Sequence, residues 1–152
     1  MNRHRKSSEP FEILLVEDNS GDIRLTKEIL KDCDVASNVA VARDGVEALA
    51  FLRRERPYEE TTRPDLIFLD LNLPKMDGYQ VLAAIKTDTN LKSIPVVILT
   101  TTETEEDIIK TYEMNASCYI VKPIDLAGFV RVLKGAINFW FKIVELPGRI
   151  KE

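Results

Sequence analysis

The residues of this sequence best suited to chemistry come directly after short apolar runs. Glu17-Asp18 follows ILLV, Asp70 follows LIFL, Thr100-Thr101 follows VVIL, and Lys122-Pro123 follows YIV. If those runs are neighbouring strands, three carboxylates, a hydroxyl and an ammonium converge on one edge of a sheet. Carboxylates crowded in this way repel and raise one another's pKa unless a cation neutralises them. Hard oxygen ligands with no His or Cys nearby favour Mg²⁺, which keeps waters and takes only a few protein ligands. A carboxylate beside such an ion, with a lysine and a hydroxyl in reach, suits acceptance of a phosphoryl group. Metal and ammonium would offset charge on the transferring oxygens. Singly, an acidic pair or a Lys-Pro is ordinary surface; it is their shared placement at strand ends that points to chemistry.

The elements that must position these residues follow from periodicity. Apolar runs at Phe11–Val16, 38–42, Leu66–Leu69, 96–99 and Cys118–Val121 alternate with amphipathic segments. ILLV, LIFL and VVIL are apolar at every position, which suits strands covered on both faces, whereas NVAVA is weaker and reads as an edge strand. Ile23, Thr26, Ile29, Leu30 and Cys33 recur at helical spacing behind Asn19-Ser20-Gly21, a cap. Asp44 with Glu47 resembles a capping box ahead of Val46, Leu49 and Ala50. Val81, Leu82 and Ile85 follow Asp77-Gly78. Ile108, Ile109 and Tyr112 follow an acidic start suited to the positive end of a helix dipole. The last helix opens at Asp125 and is expected to run to about Glu145. The polar stretch 54–63, with Pro57, reads as a surface loop. Such βα alternation calls for an α/β fold, a parallel sheet with helices on both faces. Ligands bind such sheets outside the carboxyl ends of the strands.

Composition narrows the function classes. The 152 residues are 45% hydrophobic and 30% charged, with a formal net charge of −4, so one ordinary globular domain is expected and direct nucleic-acid binding is not. Residues 1–10, with the basic cluster Arg3-His4-Arg5-Lys6, read as a disordered N-terminal tail, 11–145 as the domain and 146–152 as a C-terminal tail. No run is long enough to span a bilayer and no signal peptide is evident. Cys33 and Cys118 lack metal-ligand spacing and read as reduced thiols of a cytoplasmic protein.

The stretches ILLVEDN (13–19), LIFLDLNLPKMDG (66–78), IPVVILTTT (94–102) and YIVKP (119–123) resemble the response-regulator receiver family of two-component signalling. The resemblance runs from about Phe11 to Val144. It implies a flavodoxin-like, five-stranded parallel sheet in the order 2-1-3-4-5. It also implies that Asp70 is the phosphoryl acceptor. Glu17, Asp18, Asp70 and the backbone carbonyl of Asn72 would hold Mg²⁺, with the longer arm of Glu17 reaching the metal directly or through water. Lys122 would pair with the acyl phosphate across a cis Lys122–Pro123 bond. Thr100 would move onto the phosphoryl oxygens and Tyr119 swing inward with it, the alternative being a static, half-buried strand aromatic. Asn72 and Thr102 occupy the positions that tune hydrolysis, and neither is ionisable, so slow loss of phosphate is expected. The tail INFWFKIVELPG (137–148) and the LVEDN-GDIRL start resemble response regulators that pair with cyanobacterial phytochrome kinases. A sensor histidine kinase of phytochrome type is therefore the expected donor.

Other readings fit less well. A haloacid-dehalogenase-type enzyme needs a second Asp two residues after its nucleophile, where this chain has Asn72. No G-x-G-x-x-G or G-K-[ST] motif follows the first strand, against a dinucleotide or Walker site. A degenerate receiver would have lost Asp70 or Lys122, and both are present. The residues after Pro123 suffice for one helix and a short tail, so output through contact with a downstream protein is expected, without an attached DNA-binding domain. On a helical wheel of about 100° per residue, Leu126, Val130, Leu133, Ile137, Trp140 and Val144 form one apolar stripe of that helix. Phe129, Val132, Ala136, Phe139, Ile143 and Leu146 form a second. One stripe suffices to cover a sheet. The second, with Phe129, Val132, Phe139 and Ile143 at its heart, is left either for the C-terminal tail or preceding helix to cover, or for a homodimer across a two-fold axis.

Overall fold

The computed structural model describes residues 9–149; the basic cluster at 3–6, most of the expected N-terminal tail, and residues 150–152 lie outside them. The strands are β1 (Phe11–Val16), β2 (Ser37–Ala42), β3 (Leu66–Leu69), β4 (Val96–Thr100) and β5 (Cys118–Val121). Between and after them come α1 (Ser20–Asp32), α2 (Gly45–Leu52), α3 (Gly78–Thr87), α4 (Glu105–Glu113) and α5 (Leu126–Asn138). All strand pairs are parallel, in the order β2-β1-β3-β4-β5. The all-apolar runs are the three interior strands, and the weaker run lies at an edge.

Period-two alternation splits each interior strand between two cores. Leu14, Val16, Ile67, Leu69, Val96 and Ile98 pack with Leu49, Val81, Leu82 and Ile85 of α2 and α3. Ile13, Leu15, Leu66, Phe68, Val97 and Leu99 pack with Ile29 and Leu30 of α1 and Leu133 and Ile137 of α5. The helix starts follow their caps: Asn19, Asp44, Asp77, Thr104 and Asp125 each accept a backbone N–H of the first turn. The full reciprocal box forms at Asp77 and Gln80, whereas Glu47 reaches back to the N–H of Arg43 instead of that of Asp44. Helix α4 is held least: Thr111 is its only buried residue, and the apolar Ile109 and Tyr112 are about half exposed. The stretch 54–63 is a loop. The one cis peptide bond among the described residues is Arg56–Pro57, so the expectation of a cis Lys122–Pro123 bond is corrected.

The C-terminal helix departs most from the wheel. Its α-helical part ends at Asn138 and continues as a π-helical turn, Phe139–Ile143, closed by Val144 N–H to Phe139 O. The wider turn breaks the 100° step. Adjacent Trp140 and Phe141 both turn inward, and Phe141 stacks on Phe11 with ring centroids 4.3 Å apart. Phe129, expected on the dimer surface, is instead part of the monomer core beside Leu133, and Val132 is half-buried. Leu126, expected to cover the sheet, is exposed because it precedes the stretch that packs. Phe139 and Ile143 are exposed as expected, at 47% and 66%. Leu146, beyond the expected domain end, is buried in the same core. Lys142 ties this turn to the end of α1 through Asp34 at 2.8 Å. Phe141→Ala should therefore destabilise the fold by about 3–5 kcal/mol in urea unfolding. Phe139→Ala, at a half-exposed ring with an edge contact to Trp140, should cost no more than about 1.5 kcal/mol.

Candidate functional site

The chemical residues meet at the carboxyl ends of β1, β3, β4 and β5: Thr100 closes β4, and the parallel ladder runs one residue past β1, β3 and β5. Glu17 N–H donates to Ala42 O at 3.0 Å, Asp70 N–H to Val16 O at 3.0 Å, and Lys122 N–H to Thr100 O at 2.7 Å. Glycine 78 lets α3 begin directly on this edge. Its N–H donates to Leu71 O at 3.0 Å, and a Cβ there would stand 2.4 Å from Asp70 O.

Asp70 is buried and bonded on both oxygens. Its Oδ1 accepts the Thr100 hydroxyl at 2.8 Å and the Asn72 N–H at 3.1 Å, and its Oδ2 accepts Lys122 Nζ at 3.2 Å. Lys122 Nζ also donates to Glu17 Oε1 and to Asp22 Oδ2, the latter at 2.9 Å. Burial alone would lower the Lys122 pKa, but its hydrogen bond to Glu17 and the charges of Glu17 and Asp70 outweigh this and hold it above the ordinary lysine value. Burial pushes Glu17 up to about 7, with the Asp70 charge adding to the rise and Lys122 opposing it. The pocket thus holds more acid than one ammonium neutralises.

That excess is what a divalent cation would relieve. Glu17, Asp18 and Asp70 each offer an oxygen, all within 4.8 Å of one another, and Asp18 is exposed while the other two are buried. An all-oxygen donor set suits a hard cation. The Asn72 backbone stands beside them through its N–H bond to Asp70. Asp70, Glu17, Asp18, Lys122, Thr100 and the Asn72 N–H are therefore together. Asp22, in the first turn of α1, was not expected: the sequence shows it only as one acid in a helix-start pattern, and its contact with Lys122 spans 100 positions.

A second layer joins the acid to α4. Tyr119 donates its hydroxyl to Thr102 O at 2.6 Å, and Asn72 Nδ2 donates to Thr102 Oγ1 at 3.3 Å. Tyr79 donates to Asp107 in the first turn of α4, with Lys110 Nζ 4.1 Å from the Tyr79 ring centroid. Thr100 and Tyr119 are thus both turned toward the site. A hollow of about 410 Å³ lined by Asn72, Asp77, Tyr79, Thr102 and Asp107 opens beside the acid. A larger one of about 450 Å³ lies at the opposite, amino end of the strands and contains none of these residues.

Residues 13–134 match the response regulator receiver domain family. The chain is 46% identical over 142 residues to the response regulator Rcp1 of Synechocystis sp., covering 93% of this chain and 97% of that protein. Among solved structures, the phosphorylated cyanobacterial phytochrome response regulator RcpA has a TM-score of 0.89 at 48% identity, over 91% of this chain and 99% of that one. The Mn²⁺-bound form of Rcp1 has a TM-score of 0.88 at 46% identity, over the same shares of 91% and 99%. With these likenesses spanning the sheet and every strand end that carries the acid, the lysine and the hydroxyl, the chain belongs to the response-regulator receiver family.

Proposed function

We propose that Asp70 of this response regulator accepts a phosphoryl group from a sensor histidine kinase and that the receiver then signals through protein contacts. The observation that carries this is the Asp70 carboxylate, held between the Lys122 ammonium and the Thr100 hydroxyl beside a second acidic pair. An Asp70 oxygen attacks phosphorus as the P–N bond of the donor phosphohistidine breaks, and the leaving imidazole keeps its electron pair. Lys122 offsets charge on the transferring oxygens. Glu17, Asp18, Asp70 and the Asn72 carbonyl would hold Mg²⁺, which when bound would add to that stabilisation. Asn72 and Thr102 are bonded to each other and neither is a base, so the phosphate would be lost slowly and no outside substrate turned over.

Thr100 and Tyr119 form the switch. A phosphoryl group on Asp70 gives the Thr100 hydroxyl a stronger acceptor than the carboxylate it now meets, and Tyr119 is tied to the same loop through Thr102. The likeness to RcpA and Rcp1 supports a phytochrome-type light sensor as the donor kinase. The exchange would then take place in the cytoplasm, which suits the two free thiols Cys33 and Cys118. No helix among the described residues is long and apolar enough to cross a membrane. A second reading, a homodimer through the C-terminal helix, is favoured by the exposed Phe139 and Ile143, with Val132 at the margin.

Intact-mass analysis with a small acyl phosphate should show one phosphoryl group added only with Mg²⁺ present, and none on Asp70→Asn; undiminished labelling of that variant would overturn the assignment. Thr100→Ala should still be phosphorylated but lose the phosphorylation-induced shift in partner affinity. A wild-type shift in that variant would remove Thr100 from the switch. Sedimentation equilibrium should show a dimer at micromolar concentration that Phe139→Asp weakens with the fold intact; a wild type that stays monomeric at high concentration, phosphorylated or not, would refute the dimer.

A further inference from the structure

Lys122 gives its ammonium to three carboxylates, and their duties differ. Glu17 and Asp70 belong to the acidic trio that fits a cation, and Asp70 is also the acceptor, so both have other partners during the reaction. Asp22 stands outside that trio and, among the three, has Lys122 as its one side-chain duty in the site. It is also firmly built. Its N–H donates to the Asn19 cap at 2.9 Å, and its carbonyl accepts the Thr26 hydroxyl at 2.7 Å. Its side chain is 29% exposed, reaching inward from the first turn of α1 while that of Lys122 is 4% exposed. A lysine is a point charge on a flexible four-carbon stem, and nothing in its own geometry aims it. Holding it in one rotamer costs conformational entropy that a fixed anionic partner offsets before the donor arrives.

We infer that Asp22 is a positioning residue for phosphoryl transfer: it anchors the Lys122 ammonium from the α1 side so that another N–H stays aimed at the Asp70 oxygens. This role rests on Asp70 being the acceptor. It differs from metal binding and from chemistry on the substrate, since Asp22 acts only through Lys122. What it supplies is chiefly an oxygen at the right place, so an amide oxygen of the same reach would serve for the most part, whereas a methyl group would not.

The test compares wild type, Asp22→Ala and Asp22→Asn in phosphate uptake from a small acyl phosphate at saturating Mg²⁺, with donor concentration varied. Asp22→Ala should lower the maximal rate roughly tenfold, and Asp22→Asn should recover most of it. The Mg²⁺ concentration at half-saturation should hardly move in either. An Asp22→Ala rate unchanged or raised would overturn the role, as would an Asp22→Asn rate as low as that of Asp22→Ala, which would mark a pure charge effect. A second measurement needs no phosphate. In Mg²⁺-free protein, the change that Asp22→Ala makes in the thermal midpoint should shrink in a Lys122→Met background to the part that a first-turn acid contributes to α1. An equal change in both backgrounds would show that Asp22 does not act through Lys122. A wild type that takes up no phosphate would overturn the acceptor assignment and this role together, whereas a labelled wild type with an unaffected Asp22→Ala overturns the role of Asp22 alone.

Discussion

One buried ammonium among buried acids sets the terms for this structure. Lys122, Glu17 and Asp70 are each less than a tenth exposed, and taking such charges out of water is costly unless each meets an opposite charge with good geometry. The parallel ladder supplies that geometry. Backbone bonds between Glu17 and Ala42, Asp70 and Val16, and Lys122 and Thr100 bring residues over 100 positions apart to one edge. Because the acids outnumber the ammonium, the balance is left incomplete, and this imbalance is what a divalent cation would relieve.

The sheet can hold that edge steady because its strands are anchored on both faces. Alternate side chains of β1, β3 and β4 enter separate cores, so a one-residue slip of any interior strand would exchange its two faces along with its chemical residue. Gly78 adds a local constraint, since only a residue without a Cβ lets α3 start against the Asp70 carbonyl. Stability is uneven around this frame. Helix α4 buries only Thr111 and is linked to the site by polar contacts from Tyr79 to Asp107 and by the Tyr119–Thr102 bond. A region held by few apolar contacts is one that can move without unfolding the domain.

The π turn at Phe139–Ile143 shows how a small backbone change redistributes burial along a helix. By widening one turn it places Trp140 and Phe141 in the core together, leaves Phe139 and Ile143 outside, and brings Leu146 back onto Phe129 and its neighbours. The apolar surplus seen on an ideal wheel is thus divided, part completing the monomer and part remaining at the surface.

Read alone, the sequence determined the five strands, their interior or edge character, the helix caps other than Thr104 and most residues of the acidic edge. These depend on local patterns: unbroken apolar runs, a capping side chain ahead of an amphipathic stretch, and polar residues at the ends of strands. Tertiary structure alone decided three other matters. Asp22 joined Lys122 because α1 packs where its first turn faces β5, a relation no local pattern encodes. Phe129 went inward and Ile109 outward because burial depends on what lies opposite a face and not on the face's own hydrophobicity. The last helix left the α-helical step at Phe139 because seating two adjacent aromatic rings, one stacked on Phe11, outweighs regular backbone geometry, and that competition exists only once the β1 edge of the core is in place.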